Sequence, residues 1–131
     1  MLKFDHNKVG KIGEDLVCRF LQSQGFSIVS RNYRKKWGEI DIIAKRGQKI
    51  FFVEVKTVSR EKISDFSADI NNFRPEDNMH PWKMKRLHRA IETYLAENAV
   101  PHETSWQLDL VTVRLGLTDK KAKIERIENI S

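Results

Sequence analysis

Between Gly38 and Thr57 the chain reads GEIDIIAKRGQKIFFVEVKT, two runs of alternating character joined by Gly47-Gln48. A strand sends successive side chains to opposite faces. The first run therefore predicts Ile40, Ile42 and Ala44 on one face and Glu39, Asp41 and Ile43 on the other. The second predicts Phe51, Val53 and Val55 together, opposite Phe52, Glu54 and Lys56. Gly47-Gln48 suits a two-residue hairpin turn with glycine at its first central position. With that turn Lys45 faces Ile50, and counting back along the ladder puts Asp41 opposite Glu54 and Glu39 opposite Lys56. Such a register is an electrostatic problem, because like charges directly across a sheet are destabilising. Two carboxylates about 5 Å apart repel by roughly 3 kcal/mol at an effective dielectric near 20. The apolar residues around Glu54 predict a strand buried on both faces, where an unpaired carboxylate is more costly still. Two resolutions are open. Glu39 and Lys56 form a solvent-facing ion pair with no chemistry attached, or Lys56 and a divalent metal together offset the acids.

The charge balance bears on this choice. The net charge is +6 with an isoelectric point near 9.5. Residues 31–60 hold nine Lys or Arg against three acids, and those acids are Glu39, Asp41 and Glu54. A basic field around a small acidic cluster draws in phosphates while the acids hold a metal. The chain of 131 residues suits one domain with its own core. Its single cysteine, Cys18, excludes an internal disulfide, and no zinc-type Cys/His spacing occurs. With no membrane-length apolar run and no signal-peptide core in MLKFDHNKVG, a cytoplasmic location is expected.

Around the hairpin, Val9, Ile12, Leu16, Val17, Phe20 and Leu21 recur at helical spacing and predict an amphipathic helix over 7–24, with Gly25 just past its end. Glu14 sits on the border of that stripe, either as a surface residue or leaning toward the acidic cluster. Residues 26–30 predict a short strand running into a basic segment, 31–37, that contains Tyr33 and Trp37. That segment either grips phosphates and offers a stacking surface, or is a loop whose aromatics enter the core. Residues 59–79 predict a long irregular loop, open to movement and placed to cover the site. A second helix is predicted from Pro81 to about Asn98, burying Met84, Leu87, Ile91, Tyr94 and Leu95 and projecting Lys83 and Arg86 from one flank. Trp106 to Val113 predicts a strand carrying Asp109 in an apolar setting, bonded to backbone or a nearby arginine, and 123–130 an edge strand.

The order helix, three strands, helix, strand, with Asp41 and Glu54-Val55-Lys56 on adjacent strands, resembles the PD-(D/E)XK superfamily of metal-dependent nucleases. Within it the chain is most similar to the YraN family of small bacterial proteins. The matching residues are Gly10-x-x-Gly13-Glu14, Asn32-Tyr33-Arg34, Gly38-Glu39-Ile40-Asp41, Phe52-Val53-Glu54-Val55-Lys56-Thr57, Lys83 to Leu95, and Leu108-Asp109-Leu110-Val111. They span most of residues 7–115. Ile40 stands where the superfamily usually has proline.

The resemblance implies an α/β, restriction-endonuclease-like fold with a mixed central sheet and a helix-strand-strand-strand-helix-strand core. It implies that Asp41 and Glu54, with the Val55 carbonyl, hold magnesium (or manganese), and that Lys56 orients or polarises the attacking water. Archaeal Holliday-junction resolvases, which are similar, add a first-helix glutamate matching Glu14 to the metal site. Glu39 is expected behind the metal ligands. Lys83 and Arg86, with Arg31 or Arg34, are expected to hold the nucleic-acid backbone. The implied activity is an endonuclease acting on nucleic acid, DNA before RNA, with branched DNA as one candidate and a homodimer as a candidate assembly. The alternatives are a nucleic-acid-binding protein of the same fold that cuts nothing, and a structural protein whose hairpin charges only pair with one another.

Overall fold

The computed structural model describes residues 6–69 and 79–131. A central sheet in the order β1-β2-β3-β4-β5 is built from Ser27–Lys35, Gly38–Arg46, Lys49–Arg60, Trp106–Gly116 and Ala122–Ile127. Helix α1 (His6–Ser23) covers one face, α2 (Pro81–Glu97) the other, and a short 3-10 turn spans Ile63–Asp69. The neighbours pair antiparallel except β3 and β4, which run parallel because α2 carries the chain across. This is the mixed α/β, restriction-endonuclease-like arrangement the motifs imply.

Two apolar clusters hold the layers together. On the α1 side Val9, Val17 and Leu21 pack on Ile42, Ala44, Phe51, Val53 and Val111. On the α2 side Leu87, Ala90, Ile91 and Tyr94 pack on Ile40, Ile43, Phe52 and Leu108. Each such side chain stabilises by about 1.5–3 kcal/mol when fully buried. Helix α1 stops where expected: Gly25 takes φ +89°, and the Phe26 amide returns to the Leu21 carbonyl at 3.0 Å, a left-handed cap that glycine adopts without a Cβ clash.

The hairpin turn is as tight as expected, with Lys45 opposite Ile50, Arg46 opposite Lys49, and Gly47 at φ +63°. Two features differ from the expectations. The basic segment is not a loop: β1 continues through Lys35, held against the start of β2. Its aromatics are packed on α2, Tyr33 edge-on to Tyr94 and bonded to Glu97, and Trp37 donating to Thr93 Oγ1 at 3.2 Å. The loop expected over 59–79 begins as structure, since β3 runs to Arg60 and the 3-10 turn follows. Its expected mobility bears on 70–78, outside the described residues.

Buried Asp109 does what its setting suggested. It accepts from Arg126 Nε at 2.9 Å, Gln107 Nε2 at 2.6 Å and the Asn129 amide at 2.9 Å, tying the C-terminal segment to β4.

Candidate active site

The β2–β3 ladder ends at Ile42 opposite Val53. From there β2 stays with β1 as far as Gly38, while β3 stays with β4 as far as Arg60. The sheet therefore splits at the next pair, Asp41 and Glu54. The expected pairing of Glu39 with Lys56 does not form, because the two strands have already parted. Glu39 lies opposite Arg34 on β1 instead, with Arg34 Nε 3.3 Å from Glu39 Oε2. The expected side-chain alternation also slips at Asp41. Ile40 packs with Ile43 on the α2 side, whereas Ile42 and Ala44 pack on the α1 side. Across from this slip, between the partners of Ile40 and Ile42, Asn32 adopts a left-handed φ of +55°, a conformation asparagine tolerates better than most residues.

Asp41 and Glu54 meet in the opening. Asp41 Oδ2 accepts the Val55 amide at 2.8 Å, and the two carboxyls are hydrogen-bonded to each other. In a strand the N–H and C=O of one residue point to the same edge, so the Val55 carbonyl also faces the split. Glu54 is 8% exposed. Burial first, then the hydrogen bond and the charge of Asp41, hold its carboxyl well above the usual carboxylate range. Lys83 Nζ, 3.8 Å from Glu54 Oε2, opposes this shift. The charge of Glu39 adds to it, so Glu39 acts on the pair from the rim while its own side chain is exposed.

Glu14, on α1 over the opposite face, feels the charge of Asp41. Burial, then the Asp41 charge, raises its carboxyl, while Arg31 at 3.6 Å pulls the other way. Gly13 makes this approach possible. A Cβ there would lie 1.8 Å from Thr57 Oγ1, so only glycine lets α1 press onto β3 at this level. Asp41 is thus the hub, with Glu54 on one side and Glu14 on the other. Among the described residues no three His, Cys, Asp or Glu side chains stand close enough to share an ion. The gathered donors are two carboxylates and a backbone carbonyl, all oxygen. That set fits magnesium, which takes one or two carboxylates and fills its shell with water and phosphate. A carboxyl that keeps its proton because it is buried and faces a second carboxyl is where a cation has most to offset.

The basic residues divide. Lys56 is half-buried and pairs with no acid among the described residues. Arg31 is committed to α1, at 2.8 Å from Asp15 Oδ1 and 3.6 Å from Glu14, so it positions Glu14 instead of facing outward. Exposed Arg34 holds Glu39. Lys83 and Arg86 line a cavity of about 270 Å³ with Glu54, Glu39, Lys35 and Trp82. Arg86 Nε donates to the Trp37 carbonyl at 3.0 Å. At Gly38 a Cβ would lie 2.4 Å from the Arg86 carbonyl, which brings α2 onto the mouth of the split. Lys35, Trp82 and the glycine contacts escape a reading by periodicity. The one signal for Trp82 is a large aromatic off the Met84–Leu87 stripe, next to Lys83. A larger cavity of about 440 Å³, between the end of α2 and Trp106, lies away from these acids.

The family model described as "Uncharacterised protein family UPF0102" matches residues 13–113, a stretch that contains Gly13, Glu14, Asp41, Glu54 and Lys56. The chain belongs to this family. It is the YraN family that the motifs resemble. A UPF0102 protein of Alkaliphilus oremlandii is 35% identical over 124 residues, covering 95% of this chain and 97% of its own. One from Campylobacter jejuni subsp. doylei is 34% identical over 122 residues, covering 93% and 92%. One from Mycolicibacterium vanbaalenii is 32% identical over 109 residues, covering 83% and 82%. Among solved structures, Pyrococcus furiosus SfsA in complex with calcium is similar at 15% identity and a TM-score of 0.39, over 95% of this chain and 64% of that one. No described helix is long and apolar enough to cross a membrane.

Proposed function

We propose that this UPF0102 member is a metal-dependent nuclease that hydrolyses phosphodiester bonds in nucleic acid. The observation that carries the reading is the meeting of Asp41 and Glu54, hydrogen-bonded and largely buried, at the point where β2 and β3 part. Asp41, Glu54 and the Val55 carbonyl would hold magnesium or manganese, and Glu54 gives up its proton on loading. The chemistry the ion supplies when bound is a more acidic attacking water and neutralisation of charge on the phosphoryl oxygens. Lys56, on the same strand two residues beyond Glu54 and without an acid partner among the described residues, places that water and offsets the charge that develops. Glu14 supports Asp41 from α1. Lys83 and Arg86 hold the backbone beside the scissile bond, and Arg34 lies further out on the rim. DNA is the preferred substrate, with branched DNA as a candidate, and a two-fold dimer is a candidate assembly.

Incubation with branched, single-stranded and duplex DNA and RNA, with magnesium or manganese, tests this beside a Glu54→Ala control. Cleavage of at least one substrate, lost in chelator and in the variant, is expected. A second reading, a nucleic-acid-binding protein that cuts nothing, draws support from Lys56 touching neither carboxylate. Salt-sensitive binding without metal-dependent cleavage of any substrate would overturn the nuclease in its favour.

A further inference from the structure

The aromatics that the motif Asn32 to Trp37 offers for base stacking are both occupied, Tyr33 against Tyr94 and Trp37 against Thr93 and the Arg89 guanidinium. Among the described residues, the large aromatic that remains in solvent is Trp82, 60% exposed. It sits in the first turn of α2, immediately before Lys83, and lines the same 270 Å³ cavity as Glu54, Lys35 and Arg86. That cavity is mixed in charge. Three cations flank two acids: Lys35 is held by Glu97 at 2.8 Å and Glu39 by Arg34, which leaves Lys83 and Arg86 beside the buried Glu54. His80 gives the helix no side-chain cap, so the positive end of the α2 dipole adds to the same rim.

A flat exposed indole beside a row of cations has the two elements that bind a single strand. The cations track the backbone, and the indole takes the face of a base. Paired bases inside a duplex present no free face to a neighbour of this kind. Resting on the nucleic-acid reading of the carboxylate site, we propose that Trp82 is a specificity-determining residue: it stacks an unpaired base next to the scissile phosphate, with Lys83 and Arg86 on the flanking phosphates. The substrate class is then nucleic acid with an unpaired stretch at the site, such as a single strand, a flap or a branch point.

The test separates binding from cutting. Equilibrium binding of the whole protein to a fluorescent single strand, to the same strand in duplex, and to a single strand carrying abasic sites is measured by anisotropy in chelator, where no hydrolysis occurs. Wild type is expected to favour the single strand. Trp82→Ala should weaken single-strand binding roughly tenfold, the scale of one lost base–aromatic stack. Trp82→Phe should recover most of that loss, and duplex binding should not change. The abasic strand should bind wild type and Trp82→Ala alike. Because Trp82 is exposed, its replacement leaves the core intact, and an unchanged unfolding midpoint verifies this. An equal loss on single strand and duplex, or no loss on either, overturns the proposal. If the Trp82 effect appears but no substrate is cut with metal, the stacking site stands and the nuclease falls. If cutting is metal-dependent and Trp82→Ala leaves single-strand binding intact, the nuclease stands and the stacking site falls. A DNA and an RNA version of each strand decide which backbone the cations prefer.

Discussion

Replacing Glu54 by glutamine is expected to stabilise the metal-free protein by an amount that grows with pH. Glu54 is 8% exposed and hydrogen-bonded to Asp41. Burial, that bond and the Asp41 charge all hold its carboxyl above the usual range, with Lys83 only partly offsetting them. The folded protein therefore keeps a proton that the unfolded chain has already released. A folded pKa raised above the ordinary 4.5 means that the stability is complete below that value and drains away as pH climbs through the raised one. The slope for one group reaches at most about 1.4 kcal/mol per pH unit. Its ceiling is the repulsion of the fully ionised pair, about 4 kcal/mol for charges about 4 Å apart at an effective dielectric of 20. Glutamine keeps the shape and a hydrogen bond to Asp41 but does not titrate. The advantage of Glu54→Gln should rise from near zero at about pH 5 toward the ceiling of about 4 kcal/mol by about pH 8. Urea midpoints of both proteins, taken in chelator at constant ionic strength, measure the difference and cancel every other titrating group. Adding magnesium should reverse the trend, stabilising wild type more as pH rises and the variant little. A difference that stays flat with pH, or a variant less stable than wild type at high pH in chelator, would refute the idea that the pair carries more buried negative charge than the fold can offset.

Three further outcomes follow from the same geometry. Gly13→Ala puts a methyl 1.8 Å from Thr57 Oγ1 and should lower stability by about 1–2 kcal/mol in urea titrations, after the gain in helix propensity. Thr57→Ala in the same chain should restore part of it. Asp109→Ala removes the acceptor of Arg126, Gln107 and the Asn129 amide and should lose about 3 kcal/mol, read as a fall in thermal midpoint, with Asp109→Asn losing less. Lys56→Ala should bind nucleic acid as wild type does in a metal-free anisotropy titration but fail to cut; cutting at the wild-type rate would remove Lys56 from the mechanism.

How much of this can be read in advance depends on the range of the interaction that decides each feature. The hairpin turn is local: Gly47-Gln48 between alternating runs is enough to place Lys45 on Ile50, and with it Asp41 beside Glu54. Where the ladder stops is not local. Strand β3 is captured in parallel by β4, from Ile50 on Trp106 to Arg60 on Gly116, more than fifty residues along the chain. No pattern within the hairpin says that β2 will stay behind with β1. Continuing the ladder past Ile42 therefore pairs Glu39 with Lys56 on paper, while the molecule gives Glu39 to Arg34. Tyr33 and Trp37 fail as a stacking surface for the same reason, since Tyr94, Glu97 and Thr93 on α2 take them up. Glu14 is an intermediate case. A helical wheel marks it as a border residue, but only the Gly13–Thr57 contact explains how it comes within reach of Asp41. The alternation of charge along a strand thus identifies the side chains that need a counter-ion. The competition between β2 and β4 for β3 decides where the sheet opens, and so which of those side chains the counter-ion can reach. Asp41 sits on the boundary of that competition, its carboxylate taking the Val55 amide that a continuing ladder would have given to a backbone carbonyl. A carboxylate standing in for a strand's lost backbone partner is held in place by the sheet itself, which is why Asp41 stays fixed beside Glu54 at the point where the strands part.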